Sequence, residues 1–196
     1  MRAPRAWAGL ALLLGSCALA GWGLERGRLD WQPALAMAQP WRAFSAVAVH
    51  YSTTHLLVNL GAVALVAALG LAARVSWPGV WAWLAAWPLT QFGLWLRPDL
   101  AHYGGLSGVL HAGVAVLAMH LLIAGTRAQR SIGALVLAGL CLKVLSESPW
   151  GPALRAAPHW GISVAPLAHA SGLVMGVLCA AFAYGLARRR SLSRIN

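Results

Sequence analysis

A serine framed by glycines is the strongest candidate for chemistry in this sequence. Ser107 stands in the run Tyr103-Gly104-Gly105-Leu106-Ser107-Gly108-Val109-Leu110-His111, at the start of a long apolar stretch. Glycine lets another segment approach closely, and a serine near a helix N-terminus lies among unpaired N–H groups that can stabilise an oxyanion. The pattern predicts a nucleophilic hydroxyl. A patch of small residues that packs helices together explains the same motif, and from the motif alone both interpretations stay open.

A serine nucleophile needs a base within hydrogen-bonding distance, and two histidines qualify. His111 lies four residues after Ser107, so both project from the same helix face. His169 lies in the last apolar stretch and is followed by Gly172 and Gly176. This stripe of small residues predicts close packing between the two helices, which would bring His169 to Ser107. A polar packing residue bonded to a backbone carbonyl is the alternative interpretation of His169.

The second apolar stretch carries two side chains that could stabilise an oxyanion. His55 and Asn59 lie four residues apart, so their N–H groups point from one helix face. Neutral imidazole and amide groups are suitable donors to a tetrahedral oxyanion. A hydrogen-bonded pair between helices is the alternative, because membrane bundles also use such pairs.

Acidic residues are nearly absent from the apolar stretches, and this excludes several kinds of chemistry. Glu147, at the outer edge of the fifth stretch, is the one exception among four acids. An intramembrane aspartyl protease needs two buried aspartates, and a zinc protease of the H-E-x-x-H kind needs a glutamate beside its histidines. A proton-coupled transporter usually has intramembrane carboxylates, and the internal repeat of many transporters is not seen here. Hydroxyl and imidazole chemistry remains.

The composition shows what must position these side chains. Of 196 residues, 60% are hydrophobic and 10% are charged, whereas a soluble domain has about a quarter of its residues charged. A free-standing soluble domain is therefore excluded. The net charge is +11, but the basic residues do not form the stripe with interleaved aromatic residues that is typical of a nucleic-acid-binding surface. We predict an all-α integral membrane protein, one domain over residues 1–196, with six transmembrane helices at about 6–24, 46–72, 77–96, 105–125, 131–146 and 161–187.

Basic residues predict how these helices are oriented. With both termini in the cytoplasm, the inner segments hold nine basic residues and no acid, and the outer segments hold six basic residues and all four acids. This bias follows the positive-inside rule. Lys143 interrupts the fifth span and is expected to extend its ammonium toward an interface. A cleavable signal peptide is the competing interpretation of the first span, because Ala18-Leu19-Ala20 resembles a cleavage site.

Four motifs resemble, in order, those of the rhomboid intramembrane serine proteases. They are Trp41-Arg42 in the first outer loop, His50 with His55 and Asn59 in the second span, Gly105-x-Ser107-Gly108 at the fourth span, and Ala168-His169-x-x-Gly172-x-x-x-Gly176 in the sixth span. The resemblance covers about residues 41–185, and the six predicted spans agree with the minimal bacterial core of the family. The combination favours the functional interpretation of Ser107 and His169.

The resemblance implies peptide-bond hydrolysis by a Ser107–His169 dyad, with no acid to complete a triad. It implies that His55 and Asn59 stabilise the oxyanion, that no metal or organic cofactor takes part, and that the substrate is a transmembrane helix cut near its outer end. The common rhomboids have an aromatic residue four positions after the serine. His111 stands there in this sequence, and we expect it to support His169 by packing or to shape the substrate pocket.

The small size of the chain and its G-L-S-G-x-x-H pattern resemble the rhombosortase branch of the family. This branch implies a protein of the bacterial inner membrane whose substrates are exported proteins with a C-terminal Gly-Gly anchor: a glycine-rich motif, one hydrophobic helix and a basic tail. Two alternatives remain. One is a general rhomboid protease with other membrane substrates. The other is a non-catalytic rhomboid-like protein that binds membrane clients, which loss of Ser107 or His169 would signal.

Overall fold

The computed structural model describes residues 2–158 and 161–193, and most of them are helical. Two short antiparallel strands, β1 (Arg155–Ala157) and β2 (Ile162–Val164), precede the last helix. Single 3-10 turns cover Pro33–Leu35, Ala46–Ala48 and Gly93–Leu96. The eight α-helices in the described residues are α1 (Ala3–Gly21), α2 (Arg26–Leu29), α3 (Arg42–Ser45), α4 (Thr53–Ala72), α5 (Trp77–Phe92), α6 (Ser107–Ala124), α7 (Arg127–Ser146) and α8 (Pro166–Leu192).

Five helices among the described residues are long and apolar enough to cross a membrane, so the chain is a multi-pass membrane protein. They are α1, α4, α6, α7 and, over Pro166–Ser191, α8. The remaining long helix, α5, has 16 residues and spans about 24 Å, less than the roughly 30 Å of a hydrocarbon core. The 3-10 turn at Gly93–Leu96 follows it directly. The predominantly helical fold agrees with the predicted all-α class.

Local capping places several helix ends away from the predicted bounds. α4 begins seven residues later than predicted, because the Ser52 side chain accepts a hydrogen bond from the His55 amide and caps the helix. α7 begins four residues earlier, because Thr126 and Gln129 form a reciprocal capping box. α8 begins and ends five residues later than predicted and has a proline at its first position.

Helix α6 is the centre of the bundle and contacts α4, α5, α7 and α8. Two buried tryptophans link neighbouring helices through their indole N–H groups. Trp83 of α5 donates to the carbonyl oxygen of Val109 in α6 at 2.9 Å, and Trp7 of α1 donates to that of Val66 in α4, also at 2.9 Å. A buried indole with an acceptor combines a large apolar contact with a satisfied donor. Both α1 and α5 are therefore integral parts of the bundle.

Glycines allow α8 to lie directly against α6. A Cβ atom on Gly172 would overlap the carbonyl oxygen of Gly108, and one on Gly176 would lie 2.5 Å from that of Ala112. Real side chains do not tolerate such contacts with backbone, so the helix axes must move apart if either glycine is replaced. The small-residue stripe that the sequence predicts as a packing surface is thus the surface that α8 presents to α6.

A pair of glycine variants in α8 tests this packing. Replacing Gly172 with alanine is expected to lower stability by about 1–3 kcal/mol, the usual cost of overpacking. Gly185 lies in the same helix, and nothing in the described part of the chain lies within 4 Å of a Cβ built on it. Gly185→Ala should therefore leave stability unchanged or slightly raised, because alanine favours a helix. Thermal unfolding in detergent measures both. Equal midpoints for the two variants would contradict the close approach.

Candidate active site

Ser107 and His169 lie together at one end of the bundle. Ser107 is the first residue of α6, and His169 lies in the first turn of α8. The Nε2 atom of His169 is 3.0 Å from the Oγ atom of Ser107, within the distance that a general base needs to take a proton. The imidazole is buried, so packing holds its orientation. The contact between α6 and α8 thus pairs a hydroxyl with a base.

The glycines around Ser107 are required by the groups that surround it. Gly105 has a φ of +123°, a conformation that favours glycine. A Cβ atom on Gly105 would lie 2.7 Å from Cε1 of His55, and one on Gly108 would lie 2.8 Å from the carbonyl oxygen of Ala168. The two interpretations of the motif are therefore compatible, because the packing of small residues is what lets α4 and α8 approach the serine.

His55 and Asn59 line the same cavity as Ser107. A Cβ atom on Gly105 would lie 2.9 Å from Nε2 of His55 and 3.9 Å from Nδ2 of Asn59, so both side chains face the segment that leads into Ser107. The Asn59 amide nitrogen is buried and has no hydrogen-bond partner among the described residues. A buried donor without a partner is costly, and the residue that carries this one lines the cavity. His50 packs beside His55 with 4.8 Å between ring centroids.

His111 stacks on His169 and does not present a ring nitrogen to the serine hydroxyl. The ring centroids are 4.1 Å apart and the planes differ by 11°. Nδ1 of His111 is 2.6 Å from the carbonyl oxygen of Ser107, so this nitrogen must carry the proton and donate it. Nε2 of His111 then accepts a hydrogen bond from Nζ of Lys143 at 2.6 Å. Both nitrogens are engaged, which leaves His169 as the histidine that faces Oγ.

A carboxylate lies on the far side of His169, where the sequence predicted none. Oε2 of Glu147 is 2.6 Å from Nδ1 of His169. The expectation that no acid accompanies the Ser107–His169 pair does not hold in this geometry, because Glu147 directly follows α7 and the contact between α7 and α8 brings it to the imidazole. Its spacing of four residues from Lys143 is the sequence signal that could have revealed it.

Lys143 and Glu147 form an ion pair beside the two stacked histidines. Nζ of Lys143 is 2.9 Å from Oε1 of Glu147 and 3.0 Å from Nδ1 of His169. Burial opposes the ionisation of Glu147, but the hydrogen bond with His169 and the charge of Lys143 outweigh it and lower the pKa of Glu147 to about 2. Lys143 lies in the last turn of α7, and its ammonium contacts the site there.

A cavity of about 330 Å³ opens beside these groups. Most of its wall is apolar, and the polar side chains converge on Ser107. Within residues 2–158 and 161–193, no group of three or more His, Cys, Asp and Glu side chains is arranged to hold a metal ion. The volume is at the small end of the range for ligand cavities. The apolar lining includes Val58, Leu110, Leu154, Ile162, Val164 and Ala165.

A buried arginine stabilises the loop between α1 and α4. Arg42 donates from Nη1 to the carbonyl oxygen of Asp30 at 2.8 Å and to its carboxylate at 3.1 Å. Next to this pair, Trp31 and Tyr103 exchange backbone hydrogen bonds of 2.7 and 2.8 Å in an isolated bridge. The loop therefore holds the segment that leads into α6. Trp41, the other residue of this motif, is 54% exposed and does not line the cavity in the described part of the chain.

Asp30 is a second acid whose contacts the sequence does not predict. Its buried carboxylate also accepts a hydrogen bond from Nε2 of Gln32 at 2.9 Å and contacts Nδ1 of His102 at 2.7 Å. His102 belongs to the segment before α6 and lines the cavity. Asp30 thus links the loop between α1 and α4 to the wall of the site.

Comparison with known proteins gives no family assignment. No family model matches the sequence, and no curated protein matches it. The interpretation of the site therefore depends on its motifs and its geometry.

Proposed function

We propose that this chain is a rhomboid-type intramembrane serine protease. The observation that carries the proposal is the 3.0 Å contact between Oγ of Ser107 and Nε2 of His169 at a cavity among membrane-length apolar helices. A hydroxyl paired with an imidazole is the basic unit of nucleophilic catalysis at a carbonyl group. Two of the four rhomboid-like motifs, the one around Ser107 and the one around His169, assign the same roles to these two residues.

In the proposed reaction, Oγ of Ser107 attacks the scissile carbonyl carbon while Nε2 of His169 takes the hydroxyl proton. The tetrahedral intermediate collapses as His169 gives that proton to the departing amine. Water then attacks the acyl-enzyme ester, again with His169 as base, and releases the new carboxyl terminus. This water arrives from the outer face, where polar side chains such as His102 line the cavity.

The oxyanion of the intermediate is stabilised from two directions. The backbone N–H of Ser107, at the first position of α6, has no partner within its own helix. The side chains of His55 and Asn59 supply donors from α4. Preorganised donors of this kind stabilise the transition state more than the planar carbonyl of the substrate.

We propose six spans with both termini in the cytoplasm. α5 and the 3-10 turn that follows it form the short third span, supported by the contacts of α5 with α1, α6 and α8. The first residue of α6 then lies at the outer end of the bundle. The charge bias of the predicted loops supports the same orientation.

The proposed substrate is the C-terminal Gly-Gly anchor of an exported protein in the bacterial inner membrane. Glycine weakens a helix by roughly 1 kcal/mol per residue relative to alanine, so a Gly-Gly pair lets the outer end of an anchor unwind. The same pair has no side chains to exclude it from a cavity of about 330 Å³.

Direct cleavage tests the proposed function. The purified protein, reconstituted in vesicles, is mixed with a tagged substrate that carries a Gly-Gly segment, one hydrophobic helix and a basic tail. We expect a new carboxyl terminus near the glycines, identified by mass spectrometry, and little product from a matched substrate with Leu-Leu in place of Gly-Gly. Equal cleavage of both would favour a general rhomboid protease, and cleavage of neither would contradict the proposal.

Loss of a single oxyanion donor is expected to slow cleavage without abolishing it. Replacing Asn59 or His55 with alanine should lower kcat by about 10- to 10³-fold without abolishing cleavage, the range for loss of a single donor. Leu57→Ala is the control, because this residue is on the same helix but 61% exposed. Initial cleavage rates at matched protein levels measure the effect. Wild-type rates in both the Asn59 and the His55 variant would show that the pair is only structural.

A further inference from the structure

Nδ1 of His169 is approached by two groups of opposite hydrogen-bonding character. Oε2 of Glu147 lies 2.6 Å away, and Nζ of Lys143 lies 3.0 Å away. An ionised carboxylate only accepts hydrogen bonds, and an ammonium only donates them. The partner that Nδ1 takes therefore decides which ring nitrogen carries the proton.

Only one of the two tautomers can serve Ser107. If Nδ1 donates to Glu147, Nε2 is unprotonated and can accept the hydroxyl proton of Ser107. If Nδ1 accepts from Lys143, the neutral ring carries its proton on Nε2, and His169 cannot act as base. Nδ1 of His169 lies 2.6 Å from Oε2 of Glu147 and 3.0 Å from Nζ of Lys143, so the carboxylate is closer by 0.4 Å.

Glu147 also reduces the competition of Lys143 for Nδ1 of His169. Oε1 of Glu147 is 2.9 Å from Nζ of Lys143, and Nε2 of His111 accepts from the same ammonium at 2.6 Å. The donors of Lys143 thus have two acceptors besides His169. Without Glu147, the ammonium would face Nδ1 with one acceptor fewer and no opposing negative charge.

We propose that Glu147 is a positioning residue that holds His169 in the tautomer with the proton on Nδ1, against competition from Lys143. The catalytic consequence of this role rests on the proposed function. When His169 accepts the proton of Ser107 it becomes an imidazolium, which a carboxylate at 2.6 Å stabilises and an ammonium at 3.0 Å opposes. Loss of Glu147 therefore affects both the resting tautomer and the transition state.

Three variants separate this role from a structural one. Glu147→Ala is expected to lower kcat by about 10²- to 10⁴-fold, as loss of the orienting acid does in serine proteases, with KM changed only a few-fold. The double variant Lys143→Met, Glu147→Ala should recover at least about tenfold of that loss, because the competing donor is gone. Lys143→Met alone should keep the His169 proton on Nδ1, because Glu147 remains in place. Glu25→Ala, which removes an exposed acid paired with Arg28, is the control.

Nitrogen NMR of histidine-labelled protein reads the tautomer directly and does not depend on cleavage. We expect the His169 ring, assigned by comparison with His169→Ala, to carry its proton on Nδ1 in the wild type and on Nε2 in Glu147→Ala. A wild-type ring protonated on Nε2 would overturn the proposal, even if the protein does not cleave the Gly-Gly substrate. In an active protein, a double variant as slow as Glu147→Ala, or full activity of Glu147→Ala, would overturn it as well. Thermal unfolding midpoints show whether each variant is folded.

Discussion

Alanine at position 107 is expected to abolish cleavage of a Gly-Gly anchor substrate. Without Oγ there is no atom to form the acyl-enzyme, and His169 has no hydroxyl to deprotonate. The loss should approach the roughly 10⁶-fold seen when a serine protease loses its nucleophile. The measurement is the initial rate of appearance of the shortened product in vesicles, with a fluorophosphonate probe that labels activated serines as a second readout.

A buried serine near His169 provides the matched control for this experiment. Ser171 lies two residues after His169, and its hydroxyl donates to the carbonyl oxygen of Thr90 at 2.8 Å. Ser171→Ala should lose a structural hydrogen bond worth about 1 kcal/mol and keep both cleavage and probe labelling. The Ser107 variant should insert and unfold like the wild type. Undiminished cleavage by that variant would remove the serine-protease proposal altogether.

Apolar stretches were sufficient to predict the long helices, because a bilayer-length hydrophobic segment has few alternatives to a helix. Their ends were less predictable. The start of α4 depends on the cap at Ser52, and the start of α7 depends on the box formed by Thr126 and Gln129. These local hydrogen bonds determine where a helix begins inside a stretch that hydropathy alone treats as uniform.

The site was predictable where its residues lie at helical spacing or beside glycine. Ser107, His169, His55 and Asn59 were all identified in that way, and the structure brings Ser107 and His169 into contact. Glu147 could not be assigned from spacing to His169, because the contact depends on how the end of α7 packs against the start of α8.

The contacts of Asp30 with Arg42 and His102 could not be predicted for the same reason. Nothing in the sequence around Asp30 distinguishes it from the other acids. Its side chain contacts Arg42 and His102, which come from two other segments of the chain. Arg42 is 12 residues from Asp30 and His102 is 72 residues from it, so no local sequence pattern predicts these contacts. Long-range electrostatic pairs of this kind become visible only when the fold is known.

The two candidate bases are expected to respond differently to substitution. His169→Ala should lose essentially all activity, because Nε2 of His169 is the ring nitrogen at 3.0 Å from Oγ. His111→Tyr should keep a measurable fraction. An aromatic ring can still stack on His169 as His111 does at 4.1 Å, and the common rhomboids that this sequence resembles have an aromatic residue at that position. The measurement is cleavage of the tagged Gly-Gly substrate in membranes at matched expression.

His111→Phe extends the comparison, since phenylalanine keeps the stacking surface but removes both nitrogen contacts. If stacking is the main contribution of His111, the Phe and Tyr variants should retain similar activity. If activity also depends on His111 as an acceptor for Lys143, the Phe variant should be slower. The ammonium of Lys143 lies 2.6 Å from Nε2 of His111. Without that acceptor it competes more strongly for Nδ1 of His169. An inactive His111→Tyr together with an active His169→Ala would reverse the assignment of the base. Loss of activity in both would mean that His111 has a role that an aromatic ring alone cannot fill.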